Sequence, residues 1–126
     1  CTNNSVSACD ADDNQRSGYV CYYFHVSFQN KAGKRVGAIC AAPMVLASTG
    51  ILDGKKATCS PGFERYFGES TTYTGELFQE DGNVITGEGP AATLPYAYQI
   101  LSYFVGTEEV AKLQKGMQYA HLMEKR

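Results

Sequence analysis

Apolar positions along the chain fall into short blocks divided by glycine- and proline-marked turns, and the period inside each block predicts its conformation. Residues 1–17 are polar, with Val6, Ala8 and Ala11 as their only aliphatic side chains. So little apolar surface does not offset the entropy of ordering, so a loop-like or disordered leader is expected there, ahead of one domain over 18–126. Residues 18–29 are dense in aromatic and β-branched side chains and read locally as a strand, with a helix as the alternative. Lys31-Ala-Gly-Lys34 then reads as a turn into a short buried strand ending at Ile39. Pro43 suits the first turn of a helix that runs through Ala47 and is capped by Gly50.

Further along, Asp53-Gly54 predicts a turn before a strand from Lys55 to Ser60, followed by one helical turn over Phe63 to Phe67 and a strand over Thr71 to Thr74. Glu80-Asp81-Gly82 predicts a hairpin between strands at 76–79 and 83–86. Leu94, Ala97, Tyr98, Leu101, Phe104 and Val105 share one face at helical spacing, with Pro95 in the first turn and Gly106 at the end. Thr107 is the expected cap of a last helix packing through Val110, Leu113 and Met117, with fraying from Leu122 onward.

Candidate chemistry centres on Val36-Gly-Ala-Ile-Cys40-Ala-Ala-Pro43. A strand that turns sharply into a helix with its polar residue at the corner has the form of a nucleophile elbow, and the small residues around Cys40 let backbone pack closely there. A thiol at such a helix start is in a setting that favours thiolate. The motif alone fits a small buried structural cysteine equally well.

Composition narrows the function classes. The 126 residues suit one modest domain, and 44% hydrophobic content is ordinary for a globular chain. A net charge of −2 gives no electrostatic reason to expect nucleic acid or an anionic membrane as partner, and no apolar run approaches the roughly 18 residues of a membrane span. Five cysteines without a C-x-x-C pair fit free thiols in a reducing, cytoplasmic setting. Asp10, Asp12 and Asp13 lack the glycine and distal glutamate of a calcium loop, and neither a metal nor a cofactor is expected.

The elbow motif, together with Lys55-Lys-Ala-Thr-Cys59 and Gly87-Glu-Gly-Pro90 in that order, resembles the ThiJ/PfpI family of parkinsonism-associated deglycase-like proteins and their bacterial relatives, over about residues 30–119. The resemblance implies an α/β, flavodoxin-like three-layer sandwich that assembles as a homodimer. It also implies an amphipathic helix before the elbow strand, where local propensity reads strand. The family places several βα units, a catalytic glutamate and a glycine-rich loop ahead of the elbow. Here 39 residues precede Cys40 and none is Glu, so the expectation is the C-terminal part of a family domain joined to a front of other origin.

By resemblance the activity is cysteine-dependent chemistry on small reactive carbonyls or glycated substrates, of glyoxalase or deglycase type, weak or lost without the family's glutamate. Cys40 is the nucleophile and the Ala41 N–H the oxyanion donor. Ala41 stands where the protease-like branch carries histidine, which argues against a peptidase. Accessory candidates are Cys59, as a resolving thiol or as a separate half-buried one, and Glu64, as a nearby carboxylate. Gly87, Glu88 and Gly89 form a glycine-rich turn that serves either as an anion site or as a plain strand-to-helix connection, and Glu88 stands where the family often has arginine. The alternatives are a redox-sensing or chaperone-like member with an oxidisable Cys40, and a non-catalytic dimerisation module.

Overall fold

The computed structural model of the chain describes residues 25–124. Cys1, Cys9 and Cys21, the expected leader and the first part of the aromatic run all lie outside the described residues. The chain divides into two compact units, Cys1–Ala92 and Thr93–Arg126.

In the first unit, residues 25–31 are helical (α1). This corrects the strand expected over 18–29 as far as the described residues reach, and agrees with the helix that the family resemblance implies. The turn read at Lys31 to Lys34 is the end of this helix: the Lys34 N–H donates to the Gln29 carbonyl and the Gly33 N–H to that of Asn30, both at 3.0 Å. This paired closure needs a left-handed residue, supplied by Gly33 at φ 71°. Only one stripe of the helix is covered; Val26 is buried while His25 and Phe28 are exposed.

Strand β1 (Val36–Ile39) follows, then α2 (Pro43–Ser48) with Pro43 in its first turn. The α2 helix closes as α1 does: the Gly50 N–H donates to the Ala47 carbonyl and the Ile51 N–H to that of Leu46, with Leu46 and Ile51 both buried. The strands expected at 55–60 and 71–74 are the two-residue β2 (Lys56–Ala57) and β3 (Thr72–Tyr73), which pair in parallel. Between them lies a 3₁₀ turn over Glu64–Tyr66.

Strands β4 (Phe78–Asp81) and β5 (Val84–Gly87) form the expected hairpin with its strands shifted, so that Gly82 and Asn83 make the loop. Sheet order is β1-β5-β4, and β1 runs parallel to β5 with Val36 opposite Val84 and Ile39 opposite Gly87. All of β5 is buried, as a central strand covered on both faces should be. The core gathers Val26, Val36, Ala38, Leu46, Ile51, Leu52, Ala57 and Val84, with Phe67 packed against it.

The second unit holds α3 (Thr93–Val105), α4 (Thr107–Gly116) and α5 (Tyr119–Glu124). Tyr98 is buried; its ring meets that of Tyr119 edge-on at 4.9 Å, and its hydroxyl donates to Met117 Sδ at 3.1 Å. Three expectations are corrected here. Gly106, not Thr107, is the N-cap of α4, because its φ of 84° lets the chain reverse directly out of α3. Residues 122–124 continue α5 rather than fray. The face expected on α3 is covered only in part: Tyr98 is buried, whereas Ala97, Phe104 and Val105 are exposed.

Candidate functional site

The two parallel strands end side by side, and Cys40 stands directly beyond β1. Its φ of 63° is left-handed, and Gln118 is the one other non-glycine residue in that region among the described residues. This conformation costs an L-residue roughly 1–2 kcal/mol, so the surroundings must impose it. They do so from both sides. The Cys40 N–H donates to the Gly87 carbonyl at 3.0 Å, and its carbonyl accepts from the Ser60 N–H at 2.9 Å. Cys40 is thus pinned between the end of β5 and the segment that follows β2.

Beyond the corner, the Ala42 N–H turns back to the Ile39 carbonyl at 3.2 Å, Pro43 has no N–H, and the Ala41 and Ala42 carbonyls accept from Met44 and Val45. The Ala41 N–H has no hydrogen-bond acceptor among the described residues. A half-buried thiol therefore stands next to an unengaged backbone donor.

Cys59 is fully buried and, like Cys40, a free thiol. Burial, then the Glu64 carboxylate, then the charge of Cys40 push its pKa up to about 11. Those influences place Cys59 within electrostatic reach of both Cys40 and Glu64. Glu64 is half-buried and accepts the Gly62 N–H at 2.6 Å, which fixes its carboxylate on the turn just past Ser60.

Gly87 is the last residue of β5 and lies opposite both Ile39 and Phe78, so its carbonyl reaches the elbow. The Glu88 N–H is already given to the Leu77 carbonyl at 3.0 Å, and the Gly89 carbonyl accepts the Ala92 N–H at 2.9 Å. The Gly87–Gly89 turn therefore spends polar backbone groups on holding itself to the residue just before β4 and to the 3₁₀ turn Pro90–Ala92.

Tyr73 is a member of this neighbourhood that the sequence did not single out. Its phenol is raised above the ordinary tyrosine value by partial burial first, then by the charges of Cys59, Glu64 and Glu88. Its ring sits edge-on to Phe67 at 6.3 Å. The signal that could find it is tertiary: β3 pairs with β2, which sets Tyr73 opposite Ala57 on the way to Cys59. Glu69, His25 and His121 are exposed. Among the described residues no group of three His, Cys, Asp or Glu side chains could hold a metal ion, and no helix is long and apolar enough to cross a membrane.

A family model described as the DJ-1/PfpI family matches residues 23–103. Protein dj-1beta of Drosophila melanogaster is 34% identical over 94 residues, which cover 74% of this chain and 50% of that protein. Its crystal structure superposes with a TM-score of 0.73 at 28% identity, over 86% of this chain and 60% of that one. An oxidized Toxoplasma gondii DJ-1 gives a TM-score of 0.70 at 25% identity, over 78% of this chain and 53% of that one. The chain thus spans about half the length of these relatives. The α/β architecture is the flavodoxin-like one of these neighbours.

Proposed function

The chain belongs to the DJ-1/PfpI family, and we propose that within it this chain performs cysteine-dependent chemistry on small reactive carbonyls, of glyoxalase or deglycase type. The observation that carries the reading is the elbow itself: Cys40 held at φ 63° beside the unengaged Ala41 N–H. The Cys40 thiolate adds to an aldehyde carbon, a C–S bond forms, and the carbonyl π pair moves onto oxygen. The Ala41 N–H is the donor available to that alkoxide, and one such donor is typically worth about 10²–10³ in rate. Glu64 and the protonated Cys59 are the groups at hand to carry protons around the hemithioacetal. A homodimer in the cytoplasm is the assembly we propose for it.

The test follows methylglyoxal loss by purified protein. Saturable loss abolished by Cys40→Ser is expected, and loss indifferent to that change overturns the reading.

A redox-sensing role is the second reading, favoured by the electrostatic proximity of Cys40 and Cys59. A hydroperoxide takes the Cys40 thiolate to sulfenate and is itself reduced to the alcohol or to water. Reversible oxidation of Cys40 without carbonyl turnover would favour this reading over the first.

A further inference from the structure

We infer that Met117 is a site of reversible oxidation by hydroperoxides, at which Tyr98 leaves one face of the sulfur open. A single sulfoxide epimer then forms, and α5 is loosened by it. The inference is independent of the reading given for Cys40.

The three methionines differ in their surroundings. Met44 and Met123 are half-buried, whereas Met117 is 52% exposed. Met117 follows the last residue of α4, and its N–H donates to the Leu113 carbonyl at 2.9 Å, so its backbone is held. Its thioether reaches back to α3, where the Tyr98 hydroxyl donates to Sδ at 3.1 Å. Tyr98 is buried, and its ring packs edge-on against that of Tyr119 at 4.9 Å, which fixes the hydroxyl in place.

A thioether sulfur carries two lone pairs and is a weak hydrogen-bond acceptor. One lone pair accepts from Tyr98, and the other is the one left to react. That pair attacks the terminal oxygen of a hydroperoxide, the S–O bond forms and the O–O bond breaks. The proton on the transferred oxygen passes to the departing alkoxide, which leaves as the alcohol, or as water from hydrogen peroxide. Sulfur is oxidised to the sulfoxide and the hydroperoxide is reduced. Because oxygen arrives on the side that Tyr98 does not hold, the chiral product forms as one epimer.

The sulfoxide is polar and draws the side chain toward water, and its sulfur is a poorer acceptor than before. The bond from buried Tyr98 to the joint between α4 and α5 is weakened as a result. That joint already carries a cost, since Gln118 sits at φ 57°. The six-residue α5 begins directly after it, at Tyr119. Each of the two classes of sulfoxide reductase acts on one epimer, so one of them alone would restore the site.

The experiment treats the full chain with limiting hydrogen peroxide and locates the added oxygen by tandem mass mapping. Each reductase is then applied to the digest, with oxidised N-acetylmethionine amide as the reference. Met117 is expected to gain oxygen ahead of Met44 and Met123. One reductase should remove nearly all of that oxygen and the other hardly any, whereas each removes about half from the reference. In Tyr98→Phe, which keeps the ring, both reductases should share the product. Amide hydrogen exchange in α5 should quicken roughly fivefold on oxidation, as loss of one modest hydrogen bond implies. Met117→Leu, which keeps an apolar side chain of similar size, should show no such response to peroxide.

Oxidation of Met44 or Met123 as fast as that of Met117 overturns the site. Equal shares for the two reductases in the wild-type chain overturn the role of Tyr98, without recourse to a variant. A single epimer that persists in Tyr98→Phe does the same. Unchanged exchange in α5 after Met117 is fully oxidised overturns the effect on that helix.

Discussion

The Thr58 N–H donates to Thr86 Oγ1 at 2.8 Å, and both residues are fully buried. The Thr58 hydroxyl in turn donates to the Glu76 carbonyl at 2.8 Å. The first bond ties the chain just past β2 to the central strand β5, and the second ties it to the segment leading into β4. Cys59 follows Thr58 and Gly87 follows Thr86, so the two threonines set the spacing of both segments that grip Cys40.

Thr86→Val keeps the shape and removes the acceptor, which leaves the Thr58 N–H buried without a partner. The expected loss is about 1–3 kcal/mol in urea unfolding, whereas Thr86→Ser, which keeps the oxygen, should lose less. Equal losses for the two variants would show that packing of the methyl group matters rather than the hydrogen bond.

Cys40 offers a backbone test. Glycine adopts a positive φ without steric cost, so Cys40→Gly should be more stable than Cys40→Ala by about 1 kcal/mol, the reverse of the usual order. Thermal or urea unfolding of the pair decides it. If Cys40→Ala is the more stable, the elbow does not hold this residue in the left-handed region in solution.

The elbow was legible in the sequence because its determinants are local: a short apolar strand, small flanking residues, Pro43 in the first turn and Gly50 at the close. The hairpin was legible for the same reason, with its loop displaced to Gly82 and Asn83. Tyr73 was not, since nothing near it in sequence shows that β3 runs beside β2. The aromatic run was misread because the β propensity of Val26 and Phe28 is a packing preference, and here packing covers one side of a helix. At Gly106 the misreading came from giving the cap to a hydroxyl when the positive φ was the stronger constraint.

The raised pKa of Cys59 predicts a pH dependence of stability. Its ordinary value is 9.0 and its folded value about 11. The folded state therefore holds the proton more tightly, and the resulting stability is fully present below pH 9 and lost as pH rises through 11. The loss is on the order of 2 kcal/mol. Denaturant unfolding between pH 8.5 and 11 should show this fall in the wild type and a shallower one in Cys59→Ala. Cys59 should also resist iodoacetamide at neutral pH until the protein unfolds. Parallel pH profiles for wild type and Cys59→Ala would refute the assignment.

Val26 and Phe28 separate the two conformations open to the aromatic run. In a strand, residues two apart share a face, so shaving either side chain should have similar consequences. In a helix they diverge by about 200°, and α1 puts Val26 in the core beside Val36 and Ala38 while Phe28 remains 68% exposed. Val26→Ala removes two buried methyl groups and should lower stability by roughly 1–3 kcal/mol, transfer and cavity contributions together. Phe28→Ser removes a larger side chain from the exposed side and should change stability by no more than about 0.5 kcal/mol. Urea midpoints for the two variants, taken at unchanged m-value, make the comparison. A large loss for Phe28→Ser would mean that this side of α1 is covered in solution, and comparable losses for both would return the segment to the strand that its composition favours.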